Sequence, residues 1–427
     1  MFSYNHSHPE IRDAVSKLCE GFDGKYWQRC DAERAYPDEF VKALTDAGYL
    51  SALVPEEFGG LSLPISAVAA ILEEVHRSGG NAAACHAQMY TMGTVLRHGS
   101  DVQKARFLPG IADGSLRLQA FGVTEPTSGT DTTALRTVAR RDGDEYVVNG
   151  QKVWTTSAHH ADYGLLLART DVDVPKHKGM TYYIIDMHQP GIEVVPLRQM
   201  NGHASFNQVF FTDAEIAPEF MLENLGDGWK IATTTLMHER RGADGLRRHA
   251  EATDRPERIY QEEAKEISIA LEPYKWYPQR AGRIDLILDR AKETGANTDP
   301  VMRQEIAKLM TMAKSAEWTA RRAREAQAQG RVQGPEGSLG KLAASYIARA
   351  ANKVHTAMTG SNSMLSGDES PMDGLIAEIL ISTPAISIAG GTDEIQKNII
   401  SERVLKMPKE PRTDTDRPFR EVPKNVI

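Results

Sequence analysis

The chain has 427 residues, a formal net charge of −8 and 25% charged residues, an ordinary balance for a water-soluble protein. That length admits two or three domains around a large buried core, and an acidic chain without a long basic run excludes a general nucleic-acid binder. No window approaches the ~18 apolar residues of a membrane helix. The opening MFSYNHSHPEIRD lacks a basic-then-apolar secretory pattern.

Three scattered cysteines, Cys19, Cys30 and Cys85, make neither a disulfide scaffold nor a zinc site. The histidines show no HExxH-type spacing. A reducing cytoplasm is the expected setting, with no metal.

Residues 1–120 carry the pattern of an α-helical domain. Pro37-Asp38-Glu39-Phe40 opens a short helix with acidic residues in its first turn, and Gly48 stops it. Ser66 is placed to cap a second helix, on which Val68, Ile71, Leu72 and Val75 repeat at helical spacing, and Gly79-Gly80 ends it. Val54 to Gly60 is a turn-rich loop between them.

Over residues 121–225 the period becomes two. Glu145 to Val148, Tyr163 to Ala168, Thr181 to Asp186, Ile192 to Val195 and Gln208 to Thr212 are β-rich runs, which predicts an antiparallel barrel or sandwich. Tyr146-Val147-Val148 followed by Asn149-Gly150 predicts a tight hairpin turn. Residues 226–407 return to helices. Met302, Ile306, Leu309, Ala313, Ala316 and Ala320 stripe a long helix begun by Pro300. A further helix follows Gly334 to Ser338, and a last one carries Ile395 and Ile399. The fold class is α+β, mostly α: helical domain, β domain, then a four-helix bundle. Residues 408–427 form a polar, proline-bearing tail, extended or wrapped on a partner.

Phe121 to Ser157 concentrates the chemistry. Thr124-Glu125-Pro126-Thr127-Ser128-Gly129-Thr130-Asp131 and Trp154-Thr155-Thr156-Ser157 put hydroxyls and backbone N–H groups on loops, beside an indole. Such a set suits a planar ligand with a polar edge. It equally describes a Ser/Thr-rich connection with Trp154 as a core anchor.

VTEPTSGTD followed by NGQKVWTTSA resembles the flavin-binding signature of the acyl-CoA dehydrogenase family, in the family's order and spacing. That resemblance implies FAD held noncovalently by Thr124, Thr130, Trp154 and Thr156. Val54 to Gly60 and Gln103 to Gly110 are likewise similar to the family's N-terminal helical domain.

The resemblance also implies α,β-dehydrogenation of a coenzyme A thioester, in which a base takes the α-proton while the β-hydrogen leaves as hydride to the flavin. Many members place the base as a glutamate two residues before the threonine of a C-terminal Glu-Gly-Thr motif. Here that segment is Ala389-Gly390-Gly391-Thr392-Asp393-Glu394-Ile395, so Gly390 stands in the base's place. Thr392 and Glu394 match the flavin-contacting pattern, and the backbone N–H of Gly390 matches a donor to the thioester carbonyl.

Other members carry the base earlier in the chain, where this sequence has Leu236-Met237-His238-Glu239-Arg240. Glu239 lies seven residues after Ala232 and three after Leu236, on the apolar side of a helix. On periodicity alone it is an ion-paired structural carboxylate or a functional one. With the resemblance it is the base, and Thr130 and Arg240 face the substrate.

Two family elements are altered. The Arg-Lys-x-Phe-Gly motif, whose arginine reaches a neighbouring subunit's flavin diphosphate, survives only as Arg290-Ala291-Lys292-Glu293-Thr294-Gly295. The Gln-x-x-Gly-Gly-x-Gly motif survives only as Ala357 to Ser363. This resembles one subunit type of the heteromeric enzymes of bacterial steroid side-chain degradation. The expected assembly is therefore a homotetramer or an α2β2 heterotetramer, passing electrons to an electron-transfer flavoprotein. Alternatives are a flavin oxidase or monooxygenase on the same fold, and a non-catalytic partner subunit. The charged stretch 243–283 is expected to be a surface insertion.

Overall fold

The computed structural model describes residues 8–33, 35–63, 65–80, 83–202, 204, 206–233, 235, 282–329, 336–367, 369–409, 411 and 414–423. The chain forms two compact units, residues 1–274 with 412–427, and residues 275–411. The stretch 243–283 lies almost wholly outside the described residues.

The first unit opens with six described helices: α1 (Pro9–Cys19), α2 (Gly24–Glu33), α3 (Asp38–Asp46), α4 (Ile65–Arg77), α5 (Ala83–His98) and α6 (Asp101–Asp113). α3 starts where Pro37-Asp38-Glu39 places it, and Gly48 beyond it takes φ 77°, open to glycine without strain. α4 already begins at Ile65, so Ser66 sits inside its first turn instead of capping it. Its Val68, Ile71, Leu72 and Val75 are buried with Val15, Phe40 and Leu44. α6 carries a capping box: Ser100 Oγ accepts from Gln103 N at 3.2 Å, and Gln103 Oε1 accepts from Ser100 N at 2.9 Å. Gln103 Nε2 then donates to Glu219 O and Met221 O, pinning α6 to the edge of the sheet.

The sheet comprises β1 (Leu118–Gly122), β2 (Val138–Asp142), β3 (Glu145–Thr156), β4 (Tyr163–Arg169), β5 (Met180–Asp186), β6 (Ile192–Leu197), β7 (Phe206–Ile216) and β8 (Met221–Leu222). Their order is β6-β7-β3-β2-β4-β5-β8, with β1 beside β4. The expected antiparallel pairing holds for β2–β3, β3–β7, β4–β5, β5–β8 and β6–β7, but β1 and β2 both meet β4 in parallel. The sheet is mixed because the β2–β3 hairpin is interposed between β1 and β4. β4 therefore returns by a crossover, which delivers a parallel strand, and not by a tight turn.

The hairpin itself is displaced from its expected place. β3 runs unbroken through Asn149-Gly150, and the turn is Gly143-Asp144, closed by the Asp142↔Glu145 pair with Gly143 at φ 59°. Positive φ at the first central residue is what a mirror-image hairpin turn needs. Asn149 instead exchanges two hydrogen bonds with Asp213 across to β7, at 2.9 and 3.0 Å. Gly150 marks a bulge, where a Cβ would stand 2.6 Å from Thr137 Oγ1 and 2.7 Å from Thr137 Cα. Gly150→Ala is therefore expected to cost about 2–3 kcal/mol through forced backbone displacement. The urea midpoint checks this, and an unchanged midpoint would show that the strand has room to give.

In the second unit the described helices are α7 (Ile287–Glu293), α8 (Pro300–Ala328), α9 (Glu336–Thr359), α10 (Leu375–Ile386) and α11 (Asp393–Ile399). α9 packs against each of the others. The stripe read from sequence on α8 is its packing face: Ile306 and Leu309 are buried against Ile347, Ala351 and Val354, with Met302, Ala313 and Ala316 alongside.

Candidate functional site

In the first unit the two signature segments come together by a backbone bond: Val153 N donates to Thr124 O at 2.9 Å. Trp154 follows at φ 62°, a left-handed conformation costly for a tryptophan, where the β3–β7 register shifts between Lys152 and Thr155. That bulge turns the indole outward. Trp154 is 51% exposed and meets Phe206 edge-on at 5.7 Å, so it is no core anchor. Thr124 and Thr156 are half-buried and Thr130 is exposed. An open aromatic face beside hydroxyls, on backbone strained to present it, is a donor set that fits a flavin.

Beneath these segments lies a charge cluster that the motif reading did not single out. Lys152 is wholly buried and donates to Glu125 Oε1 at 2.7 Å and Val123 O at 3.1 Å. Glu125 also accepts the N–H groups of Arg136 and Thr137, at 2.6 and 2.8 Å. Burial pulls the Lys152 ammonium down to about 8, with Glu125 opposing. Burial works the other way on Glu125, but Lys152 and the two backbone donors hold its carboxyl below the usual range, so the pair is ionic at neutral pH. The signal was present: Tyr146, Val148 and Lys152 share one parity along β3, which puts a lysine on the inward face.

Arg169, 1% exposed at the end of β4, donates to Thr133 O and Lys176 O, each at 2.6 Å, and to Leu135 O at 3.3 Å. Lys176 pairs with Asp131 at 2.6 Å and with Asp414.

In the second unit, Gly390 and Gly391 take φ 70° and 94°, forming the turn ahead of α11. Thr392 caps that helix, its hydroxyl accepting from Ile395 N at 3.3 Å, and Glu394 is exposed in the first turn. Asp393 is buried and committed: Ser345 Oγ donates to it at 2.8 Å, Arg349 at 3.1 Å and Lys341 at 3.4 Å. Burial alone would raise its carboxyl, but these three partners hold it below the ordinary range.

Arg290, the remnant of the diphosphate-binding motif, points into its own unit. It donates to His355 Nδ1 and to Thr359 Oγ1, each at 2.6 Å, while His355 Nε2–H donates to Arg283 O at 3.1 Å. Burial, with Arg290 beside it, drives the His355 pKa down to about 4. The unfolded chain binds that proton first, so this stabilisation is complete above pH 6.5 and drains away as pH falls toward 4. Between pH 7 and pH 5 the second unit is expected to lose about 2 kcal/mol that a His355→Gln variant does not lose. Urea titration of both proteins at the two pH values checks the difference.

Glu239 and Arg240 lie outside the described residues. The described site residues thus fall into two sets: Thr124, Thr130, Trp154 and Thr156 in the first unit, and Gly390, Thr392 and Glu394 in the second.

Comparison with known proteins bears on the whole chain. Family models for the acyl-CoA dehydrogenase N-terminal, middle and C-terminal domains match residues 5–115, 120–214 and 280–405. Acyl-CoA dehydrogenase IpdE1 of Mycobacterium tuberculosis (strain ATCC 25618 / H37Rv) is 31% identical over 401 residues, 91% of this chain and 92% of that protein. Two solved structures share the fold. The Tcur3481-Tcur3483 steroid ACAD has a TM-score of 0.72 at 24% identity, covering 96% of this chain and 99% of that one. The ChsE4-ChsE5 complex from Mycobacterium tuberculosis has a TM-score of 0.70 at 23% identity, covering 96% and 100%. No described helix is long and apolar enough to cross a membrane. The chain belongs to the acyl-CoA dehydrogenase family, FAD-dependent oxidoreductases of acyl-coenzyme A thioesters.

Proposed function

We propose that the chain dehydrogenates a branched or bulky acyl-CoA between its α and β carbons, with Glu239 as the base. The observation that carries this reading is the turn before α11. Gly390 has no side chain to accept a proton, and the nearest buried carboxylate, Asp393, is tied to Lys341, Arg349 and Ser345. A base must then come from elsewhere, and Glu239 is the carboxylate that the sequence places on an apolar helical face.

Bound FAD supplies the acceptor for the hydride that leaves the β-carbon. Glu239 takes the α-proton, and partial desolvation beside the thioester would lift its pKa from the reference ~4.3 toward a value useful to a base. The Gly390 N–H donates to the thioester carbonyl and stabilises charge developing there. Thr124, Thr130, Trp154 and Thr156 would hold the flavin, Thr392 and Glu394 match the family's flavin-contacting pattern, and Thr130 and Arg240 would line the substrate.

The assembly proposed is an α2β2 heterotetramer with a related chain. Arg290 spends its guanidinium inside its own unit, which leaves the diphosphate contact for a partner to provide. Electrons leave to an electron-transfer flavoprotein. A cytoplasmic setting accords with the free thiols of Cys19 and Cys30.

The test is anaerobic bleaching of the bound flavin by straight, branched and ring-bearing acyl-CoA thioesters. Wild type is expected to bleach with the bulkier members, while Glu239→Gln keeps its FAD and stays yellow. A variant that bleaches at the wild-type rate sinks the base assignment. A chain that binds FAD fully on its own, as a homotetramer, sinks the heteromer.

A further inference from the structure

The C-terminal residues 414–423 lie against the sheet of their own unit, on the loop joining β4 to β5. Phe419 N donates to Val174 O at 2.9 Å and Arg420 N to Val172 O at 3.0 Å, with Pro418 bridged to Pro175, so a 3-10 turn at Phe419–Glu421 is tied by its backbone to that loop. Arg420 pairs with Asp173 at 2.7 Å.

Two tail side chains reach further. The Phe419 ring lies 3.7 Å from the Arg169 guanidinium carbon, covering the group whose N–H donors hold Thr133 O and Leu135 O. Asp414 shares Lys176 with Asp131, the residue after Thr130. Lys176 also receives Arg169 through its carbonyl, at 2.6 Å. Both routes end on the segment 130–135. A buried arginine capped by an aromatic face gains from that contact because little water competes for it. A lysine gripped by two carboxylates has its position fixed more firmly than by one. Burial would lower its pKa, but Asp131 and Asp414 keep it above the ordinary value.

We propose that the tail is a positioning strap for the cofactor loop: Phe419 through Arg169, and Asp414 through Lys176, hold segment 130–135 in its binding geometry. This rests on the reading that Thr124 and Thr130 contact the flavin. It adds that the chain's last described residues set how tightly that flavin is held. Coupling of this kind is reciprocal, so bound FAD must in turn hold the tail down.

The test uses the full-length chain in the assembly in which it purifies, measuring the FAD dissociation constant, the visible circular dichroism of the bound flavin, and the rate of tryptic cleavage at Arg420. Phe419→Ala is expected to weaken FAD roughly tenfold and to alter the flavin dichroism, Phe419→Tyr to restore both, and Asp414→Asn to weaken FAD roughly threefold. In wild type, added FAD should slow cleavage of the tail. If Phe419→Ala and Asp414→Asn leave FAD affinity and dichroism unchanged while Thr130→Ala weakens FAD, the strap is overturned and the flavin reading survives. If Thr130→Ala and Trp154→Ala change nothing either, the flavin reading itself has failed, and the strap falls with it. Tail cleavage indifferent to FAD also overturns the proposal.

Discussion

Glu239→Gln is expected to slow flavin reduction by acyl-CoA about 10²–10⁴-fold, the usual contribution of a positioned general base. Glutamine keeps the size and much of the hydrogen bonding of glutamate but cannot accept the α-proton, so FAD content and thioester binding should stay near wild type. The comparison with Asp393→Asn is informative. Asp393 is bonded to Ser345, Lys341 and Arg349, so its loss should lower stability and leave two cations short of a partner, with a much smaller effect on the single-turnover rate once folded. A relocation experiment is sharper still. Apart from its own residue and its two chain neighbours, no described atom lies within 4 Å of where a Cβ on Gly390 would stand, so the turn has room for a side chain. Its φ of 70° would charge a glutamate about 1–2 kcal/mol of backbone strain. Gly390→Glu in the Glu239→Gln background should therefore recover part of the lost rate. Recovery would show that both positions address the same α-proton, whereas a Glu239→Gln enzyme within a few-fold of wild type would remove Glu239 from the mechanism.

Much of the architecture was legible because it follows from periodicity. The α8 stripe from Met302 to Ala316 and the α4 stripe from Val68 to Val75 are packing faces, as a 3.6-residue repeat requires. What misled was punctuation. Asn149-Gly150 has the right chemistry for a hairpin turn but is spent on a bulge and a link to Asp213, while Gly143-Asp144 makes the turn. Two such dipeptides six residues apart cannot be told apart locally, because strand pairing with β7 decides which one bends. Ser66 failed as a cap for a similar reason, since α4 begins two residues further back than a Ser66 cap would set it. At the site, hydroxyl and tryptophan positions were legible as a pattern, but the outward indole was not, because Trp154's left-handed backbone is a consequence of the bulge. Arg169 and its contact with Phe419 join residues 250 positions apart, and no local rule reaches that far.

Lys152→Met is expected to destabilise the first unit by about 3–5 kcal/mol, because it leaves the Glu125 carboxylate buried without its cation. Glu125 is 5% exposed and Lys152 0%, so neither can recruit bulk water as a substitute. The double variant Lys152→Met/Glu125→Gln should recover part of the loss. It removes the stranded charge, and the glutamine carbonyl still accepts one of the two backbone N–H groups of Arg136 and Thr137. If the losses of Lys152→Met and Glu125→Gln alone simply sum to that of the double variant, the pair is not the ionic clamp described here. The pH profile offers an independent check. The folded Lys152 pKa of about 8 lies below the ordinary 10.5, so the unfolded chain binds the extra proton between those values. Wild-type stability should then gain a component that rises with pH from about 8 to 10.5, and Lys152→Met should lack it. The same lysine donates to Val123 O, next to Thr124, and Thr124 O takes the N–H of Val153. Freeing that end of the clamp should therefore loosen FAD beyond what the stability loss accounts for. Stability alone would lower the folded fraction, whereas a displaced Thr124 would weaken FAD in the molecules that remain folded.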